Sequence, residues 1–126
     1  MEYSNQVMNH FFKPKNMGKM KNPDLMAEIQ NPICKDTMKI YIRIDKKSNK
    51  IKECKFQTIG CAAAISSSDV ACELIKGKTL KEAKKINKKD ILKKLHGLPK
   101  LKEHCSLLGE KAIKKAIDDY ERKMKC

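Results

Sequence analysis

Residues 37–59 read TMKIYIRIDKKSNKIKECKFQTI, and their reading decides the fold. Met38, Ile40, Ile42 and Ile44 alternate with Thr37, Lys39, Tyr41 and Arg43, the period-two pattern of a half-buried strand. A polar turn, Lys46 to Asn49, follows. Alternation then resumes from Lys50 to Ile59, with Ile51, Glu53 and Lys55 set against Lys52, Cys54 and Phe56. Two such runs across a short turn predict an antiparallel hairpin.

Upstream, YSNQVMNHFF (residues 3–12) predicts a short helix. Val7 and Phe11, and Met8 and Phe12, fall four apart, and Pro14 lies just beyond. Residues 13–33 carry three prolines and one glycine and are expected to be mostly looped, with a short strand near Glu28–Gln30. Downstream, from Ala62, the pattern turns helical with an apolar face of Ile65, Val70, Leu74 and Ile75, ending at Gly77, and the Ala and Ser residues after Cys61 are small enough for close helix packing. Thr79 with Glu82, and Asn87 with Asp90, have capping spacing and predict two further helix starts. Leu108, Ala112, Ala116, Tyr120 and Met124 recur every four residues beside Ile113 and Ile117, predicting a long C-terminal helix. Strands first and helices afterwards indicate an α+β class, a small antiparallel β-sheet with helices packed on one face. The 126 residues hold no repeat and no low-complexity linker, so a single domain over 1–126 is expected. With no Trp and only three Tyr and three Phe, its core must be built from Ile, Leu, Ala and Met.

Composition narrows the function classes. The longest uncharged run, Phe56–Ser68, is too short and polar to span a bilayer, so no membrane partner is expected. Met1–His10 has no apolar segment of the secretory kind, and the location expected is cytoplasmic. Six cysteines then point to metal ligands, catalytic thiols or buried residues rather than a disulfide framework. The net charge of +14 invites a nucleic-acid reading. Yet only Arg43 and Arg122 among the 29 basic residues are arginine, and no aromatic stacking motif accompanies the lysines. A solvated lysine coat with no specific nucleic acid is expected, and salt-sensitive adhesion at most.

The cysteines divide by position. Cys54 lies inside a strand and Cys72 inside a helix, where free cysteine behaves as a small buried hydrophobe. Cys126 is the terminal residue and is assigned nothing. Cys34, Cys61 and Cys105 each sit at an element boundary, the last two at helix starts, where the helix end favours a thiolate. Asp36 lies two residues from Cys34, and His104 adjoins Cys105. Three sulfurs, a carboxylate and an imidazole are donors used by zinc and iron–sulfur centres. Their spacing forms no local Cys-x-x-Cys knuckle, so it leaves open whether they share a site or are unrelated buried thiols.

The wording around these residues adds to the spacing. YSNQVMNHFFKPKNMG at the start, CKD at 34–36, FQTIGCAAAISSSD at 56–69, IKGKTLKEA at 75–83 and LPKLKEHCSLLGEKAIKKAIDDY at 98–120 occur in one order. In these segments the chain resembles the U-type iron–sulfur cluster assembly scaffolds, the IscU proteins and the N-terminal domain of NifU. The resemblance implies a non-enzymatic scaffold that assembles a [2Fe–2S] cluster and transfers it to apo iron–sulfur proteins. The implied ligands are Cys34, Asp36, Cys61 and Cys105, with His104 as an alternative or transient ligand. It also implies a cysteine desulfurase as sulfur source, for which Cys105, beside His104 and Lys102, is the preferred persulfide acceptor. Tyr3 occupies the place of a tyrosine linked in the family to a homodimer, and serves equally as an anchor for the first helix.

Two departures bear on these expectations. The family's Cys-Gly-Asp is here Cys34-Lys35-Asp36, and lysine does not readily adopt the positive φ that glycine tolerates. The family's Leu-Pro-Pro-Val-Lys, recognised by a dedicated Hsp70-type chaperone, is here Leu98-Pro99-Lys100-Leu101-Lys102. Losing the second proline removes part of that extended shape and leaves the chaperone an open partner. The alternative from another class is a zinc-containing sulfur acceptor like SufU, with Zn²⁺ on the same three cysteines and aspartate. The insertion characteristic of SufU between the second and third of these cysteines is missing.

Overall fold

The structure, a computed structural model, describes residues 2–32 and 35–125, so Cys34 and Cys126 lie outside the described residues. Three antiparallel strands, β1 (Leu25–Gln30), β2 (Thr37–Asp45) and β3 (Lys50–Ile59), form one sheet in the order β1-β2-β3. The expected hairpin is β2–β3, with Ile40 opposite Phe56 and Ile42 opposite Cys54. Its register shifts once. Arg43 pairs with Glu53 and Ile44 with Ile51, which leaves Lys52 as an extra residue, a β-bulge. Strict alternation would put Ile51 on the face opposite Cys54 and Phe56. The bulge turns all three inward, and none is more than 2% exposed. The first strand begins at Leu25, earlier than its sequence suggests, because Leu25 and Ala27 find buried places opposite Ile42 and Ile40.

Among the described residues, five helices occur in the expected order: α1 (Asn5–Phe12), α2 (Ala62–Ile75), α3 (Leu80–Ala83), α4 (Lys88–Lys94) and α5 (Ser106–Met124). A 3-10 turn, Lys100–Cys105, leads into α5. Ser4 caps α1 by accepting the Val7 N–H, and both capping boxes, Thr79 with Glu82 and Asn87 with Asp90, are formed. The core lies between the sheet and helices α2 and α5, where Met38, Ile40 and Phe56 meet Val70, Ile75, Ile113 and Ile117. Among the described residues no helix is long and apolar enough to cross a membrane.

Helix α2 differs from its expected one-sided pattern. Ala63, Ala64 and every residue from Ser66 to Cys72 are buried, whereas Ile65 and Leu74 are only partly so. Small side chains make this all-round burial feasible. A Cβ built on Gly109 of α5 would stand 2.8 Å from the Ala71 Cβ, so the two helices touch almost backbone to backbone. The Ser66 and Ser68 hydroxyls donate to the Ala62 and Ala64 carbonyls at 2.7 Å, so their burial leaves no stranded donor. Cys54 and Cys72 are buried as expected, and burial, with the neighbouring Cys54, pushes the Cys72 thiol well up.

Candidate functional site

Asp36 stands at the end of the loop joining β1 to β2, whose base is the Gln30–Thr37 pair. The Asn31 N–H donates to the Asp36 carbonyl at 2.8 Å and the Lys35 N–H to the Asn31 carbonyl at 2.9 Å, which closes the loop tightly. Lys35 takes φ 65°, the left-handed conformation that glycine would adopt more cheaply. Lysine thus holds here a left-handed conformation that glycine would reach without the cost of about 1 kcal/mol.

Cys61 is the N-cap residue of α2 and Cys105 that of α5. The two helix starts lie together, with the two Sγ atoms 3.9 Å apart. The Asp36 carboxylate Oδ2 lies 4.0 Å from the Cys61 Sγ. Asp36, Cys61 and Cys105 each place a donor atom within 4.8 Å of the other two. The partial positive charge of both helix ends is directed at this group. His104 borders it, with Nε2 3.8 Å from the Cys105 Sγ. The Lys102 ammonium is held above the ordinary lysine range by Cys61 first of all, with Cys105, Tyr3 and Asp36 adding to it against a desolvation cost.

Gly60 makes this convergence sterically feasible. A Cβ there would sit 2.8 Å from the Ala64 Cβ and 2.9 Å from both Cγ and Oδ2 of Asp36. Glycine is required because the carboxylate leans on its Cα, and no unusual φ is involved. Cys61 is half-buried and Cys105 only 1% exposed, so the donors line an inlet more than they project from the surface.

The spacing suits one ion. Two thiolates bound tetrahedrally at metal–sulfur distances near 2.3 Å stand about 3.8 Å apart, against 3.9 Å here. Mixed sulfur and oxygen donors of this kind suit zinc and iron. Of the four ligands expected from the sequence, the structure brings together Asp36, Cys61 and Cys105, with His104 at the edge. Cys34 falls outside the described residues. A separate groove of about 830 Å³, lined by residues such as Lys78, Lys85, Lys93 and His96, includes none of them.

Sequence reasoning passed over a second convergence. His10 Nδ1 lies 2.6 Å from Oδ2 of Asp69, which is fully buried on α2. The only hint was a charged residue ending the uncharged start of an otherwise small-residue helix.

The NifU-like N-terminal domain family matches residues 2–126. The iron–sulfur cluster assembly scaffold protein IscU 1 of Archaeoglobus fulgidus is 49% identical over 121 residues, covering 96% of this chain and 78% of that protein. The nitrogen fixation protein NifU of Trichormus azollae is 39% identical over 94% of this chain but only 42% of its own length. The solved SufU structure from Fervidobacterium islandicum AW-1 superposes with a TM-score of 0.73 at 26% identity, over 91% of this chain and 96% of that one. The sheet, the long last helix and the paired helix starts carrying thiols thus agree with the sequence match, and the chain belongs to the NifU-like N-terminal domain family.

Proposed function

We propose that this protein is a scaffold on which a [2Fe–2S] cluster is assembled from iron and desulfurase-derived sulfur and then passed to apo iron–sulfur proteins. The observation that carries this reading is the convergence of Cys61, Cys105 and Asp36, with donors 3.9–4.0 Å apart across a folded core. The family supports it, since a relative matched over 78% of its own length is named an iron–sulfur cluster assembly scaffold protein. The ligands in this reading are Cys34, Asp36, Cys61 and Cys105, with His104 as alternative.

Donors gathered within one ion's coordination sphere serve a first ferrous ion as they stand. A two-iron product needs donors in two pairs, so the group must open and Cys34 must join as cargo builds. The carboxylate is the harder ligand among thiolates and is the bond that gives way on release. Cys105 is our persulfide acceptor. Its 1% exposure means that a donor thiol must first displace its cover. Single-turnover transfer from a desulfurase, followed by mapping of the modified thiol, tests this. Persulfide on Cys61 or Cys34 with Cys105 unmodified overturns the assignment. The thiols of Cys54, Cys61 and Cys72 fit a reducing, cytoplasmic setting.

The deciding experiment is anaerobic reconstitution with a cysteine desulfurase, cysteine, ferrous iron and excess dithiothreitol to reduce persulfide sulfur to sulfide, followed by desalting and assay of iron, acid-labile sulfide and zinc. About two irons and two sulfides per chain, lost in Cys61→Ala, support the scaffold. The second reading, a zinc-bound sulfur acceptor, is favoured by the one-ion spacing of the thiols and the fit to a SufU structure. Zinc retained without sulfide selects it.

A further inference from the structure

The pairing of His10 with Asp69 lies apart from the cysteines. Asp69 is 8 residues beyond Cys61 on α2, which is about 12 Å along the helix axis. Its carboxylate is 0% exposed. The Oδ1 atom accepts the Asn16 backbone N–H at 2.9 Å and the Asn16 Nδ2 at 3.0 Å, while Oδ2 faces His10 Nδ1. The Asn16 Oδ1 in turn accepts from Lys76 Nζ. A structural ion pair accounts for this much. It does not account for Glu73, one helical turn further along α2 and half-buried, which has no hydrogen bond or ion pair among the described residues. Donor atoms of His10, Asp69 and Glu73 nevertheless lie within 4.8 Å of one another. His10 and Glu73 line a groove of about 400 Å³, so the cluster is open to solvent on that side. Two carboxylates at this separation repel unless a positive charge lies between them.

We propose that His10, Asp69 and Glu73 form a second metal site, for a divalent transition ion held by one imidazole nitrogen and two carboxylate oxygens. The backbone around Asp69 is fixed by Asn16, so the buried ligand is already oriented. His10 and Asp69 must part from 2.6 Å to about 3.0–3.4 Å, the octahedral and tetrahedral spacings, for both to reach one ion at bond lengths near 2.1 Å. Lys13 and Lys15 also line the groove and repel any cation, which penalises calcium and magnesium, bound chiefly by charge. Ions that bond to imidazole, such as Zn²⁺, Co²⁺ and Fe²⁺, are the class selected. Oxygen and nitrogen donors hold such ions more loosely than thiolates do, so this site exchanges its ion more readily than the cysteine site does.

Cobalt(II) is the probe, because bonds to thiolate add a sulfur-to-metal charge-transfer band that oxygen and nitrogen ligands do not produce. Anaerobic titration of the intact protein, read by absorption and equilibrium dialysis, is expected to show a tight equivalent with that band and a weaker one without it. Cys61→Ala should abolish the first and spare the second. Glu73→Gln should spare the first and weaken the second tenfold or more, and it leaves the His10–Asp69 contact intact, so folding is retained. His10→Gln, which can still donate to Asp69 but lacks the imidazole, must give the same selective loss. A wild-type chain that binds only the charge-transfer ion overturns the proposal, as does a second equivalent unchanged in Glu73→Gln.

Discussion

Replacing Gly60 by alanine tests whether the carboxylate of Asp36 is held in place by the absence of a side chain. The new methyl would meet the Ala64 Cβ at 2.8 Å and Cγ and Oδ2 of Asp36 at 2.9 Å, distances at which something must move. Ala64 belongs to the buried face of α2 and cannot yield cheaply, whereas the Asp36 side chain can rotate away. Overpacking of this kind costs about 1–3 kcal/mol. Gly60 has ordinary backbone angles, so alanine recovers about 0.4–1 kcal/mol by restricting the unfolded chain. The net destabilisation expected is about 1–2 kcal/mol, which lowers the urea midpoint by about 1 M for a domain of this size. The informative comparison is with Asp36→Ala, which deletes two of the three close contacts. In that background Gly60→Ala should cost about 1 kcal/mol less. Reversible urea unfolding of metal-free, reduced protein measures all four corners of the cycle. Equal costs in the two backgrounds would refute the idea that glycine is there to admit the carboxylate.

Gly109→Ala should destabilise by about 1–3 kcal/mol although alanine favours helix, because its methyl would press on Ala71. Adding Ala71→Gly should restore part of the loss in the same unfolding assay, and no restoration would mean that the strain lies elsewhere. Asp36→Ala should slow cluster transfer from the reconstituted scaffold to an apo-acceptor, read by the acceptor's absorption, and unchanged kinetics would remove Asp36 from the release step. Asp24 is held below its usual range chiefly by the Ile44 N–H, and Lys46 adds to this against burial. A depressed carboxylate stabilises the fold above its unfolded pKa and loses that contribution as pH falls through the folded one. Asp24→Asn should therefore cost about 0.5–1.5 kcal/mol at neutral pH and flatten the loss of stability below about pH 4. A variant with the wild-type acid limb would show that Asp24 does not contribute.

The hairpin, both capping boxes and the last helix were legible because each follows from local pattern: alternation, an oxygen at the N-cap, a four-residue apolar repeat. The Lys52 bulge was not, since Ile51 has the wrong parity for the core and only its partners on β2 reveal how the chain corrects it. Helix α2 was read with one apolar face of large residues, and its alanines and serines as small side chains for close packing. The second reading holds, and burial extends all round. In the folded protein its alanines and serines are what α5 and the sheet pack against. Cys61, Cys105 and Asp36 were singled out by position and by the family's wording, whereas their spacing in sequence carries little, since only the folded chain brings together residues that stand 25 and 44 positions apart. The His10–Asp69 contact joins residues 59 apart. Nothing in either local sequence announces its partner.

The donors of the cysteine site come from a hairpin loop and the starts of two helices, places that meet only when the whole domain has folded. Any ion bound there stabilises the folded chain by mass action, in proportion to the logarithm of its concentration over its dissociation constant. In the scaffold reading proposed above, cargo and fold are then a single thermodynamic system. Handing the metal on removes this stabilisation at the moment of delivery, and the empty chain becomes the form most exposed to chaperones and proteases. On that reading, iron starvation lowers the amount of folded scaffold as well as the amount of its cargo.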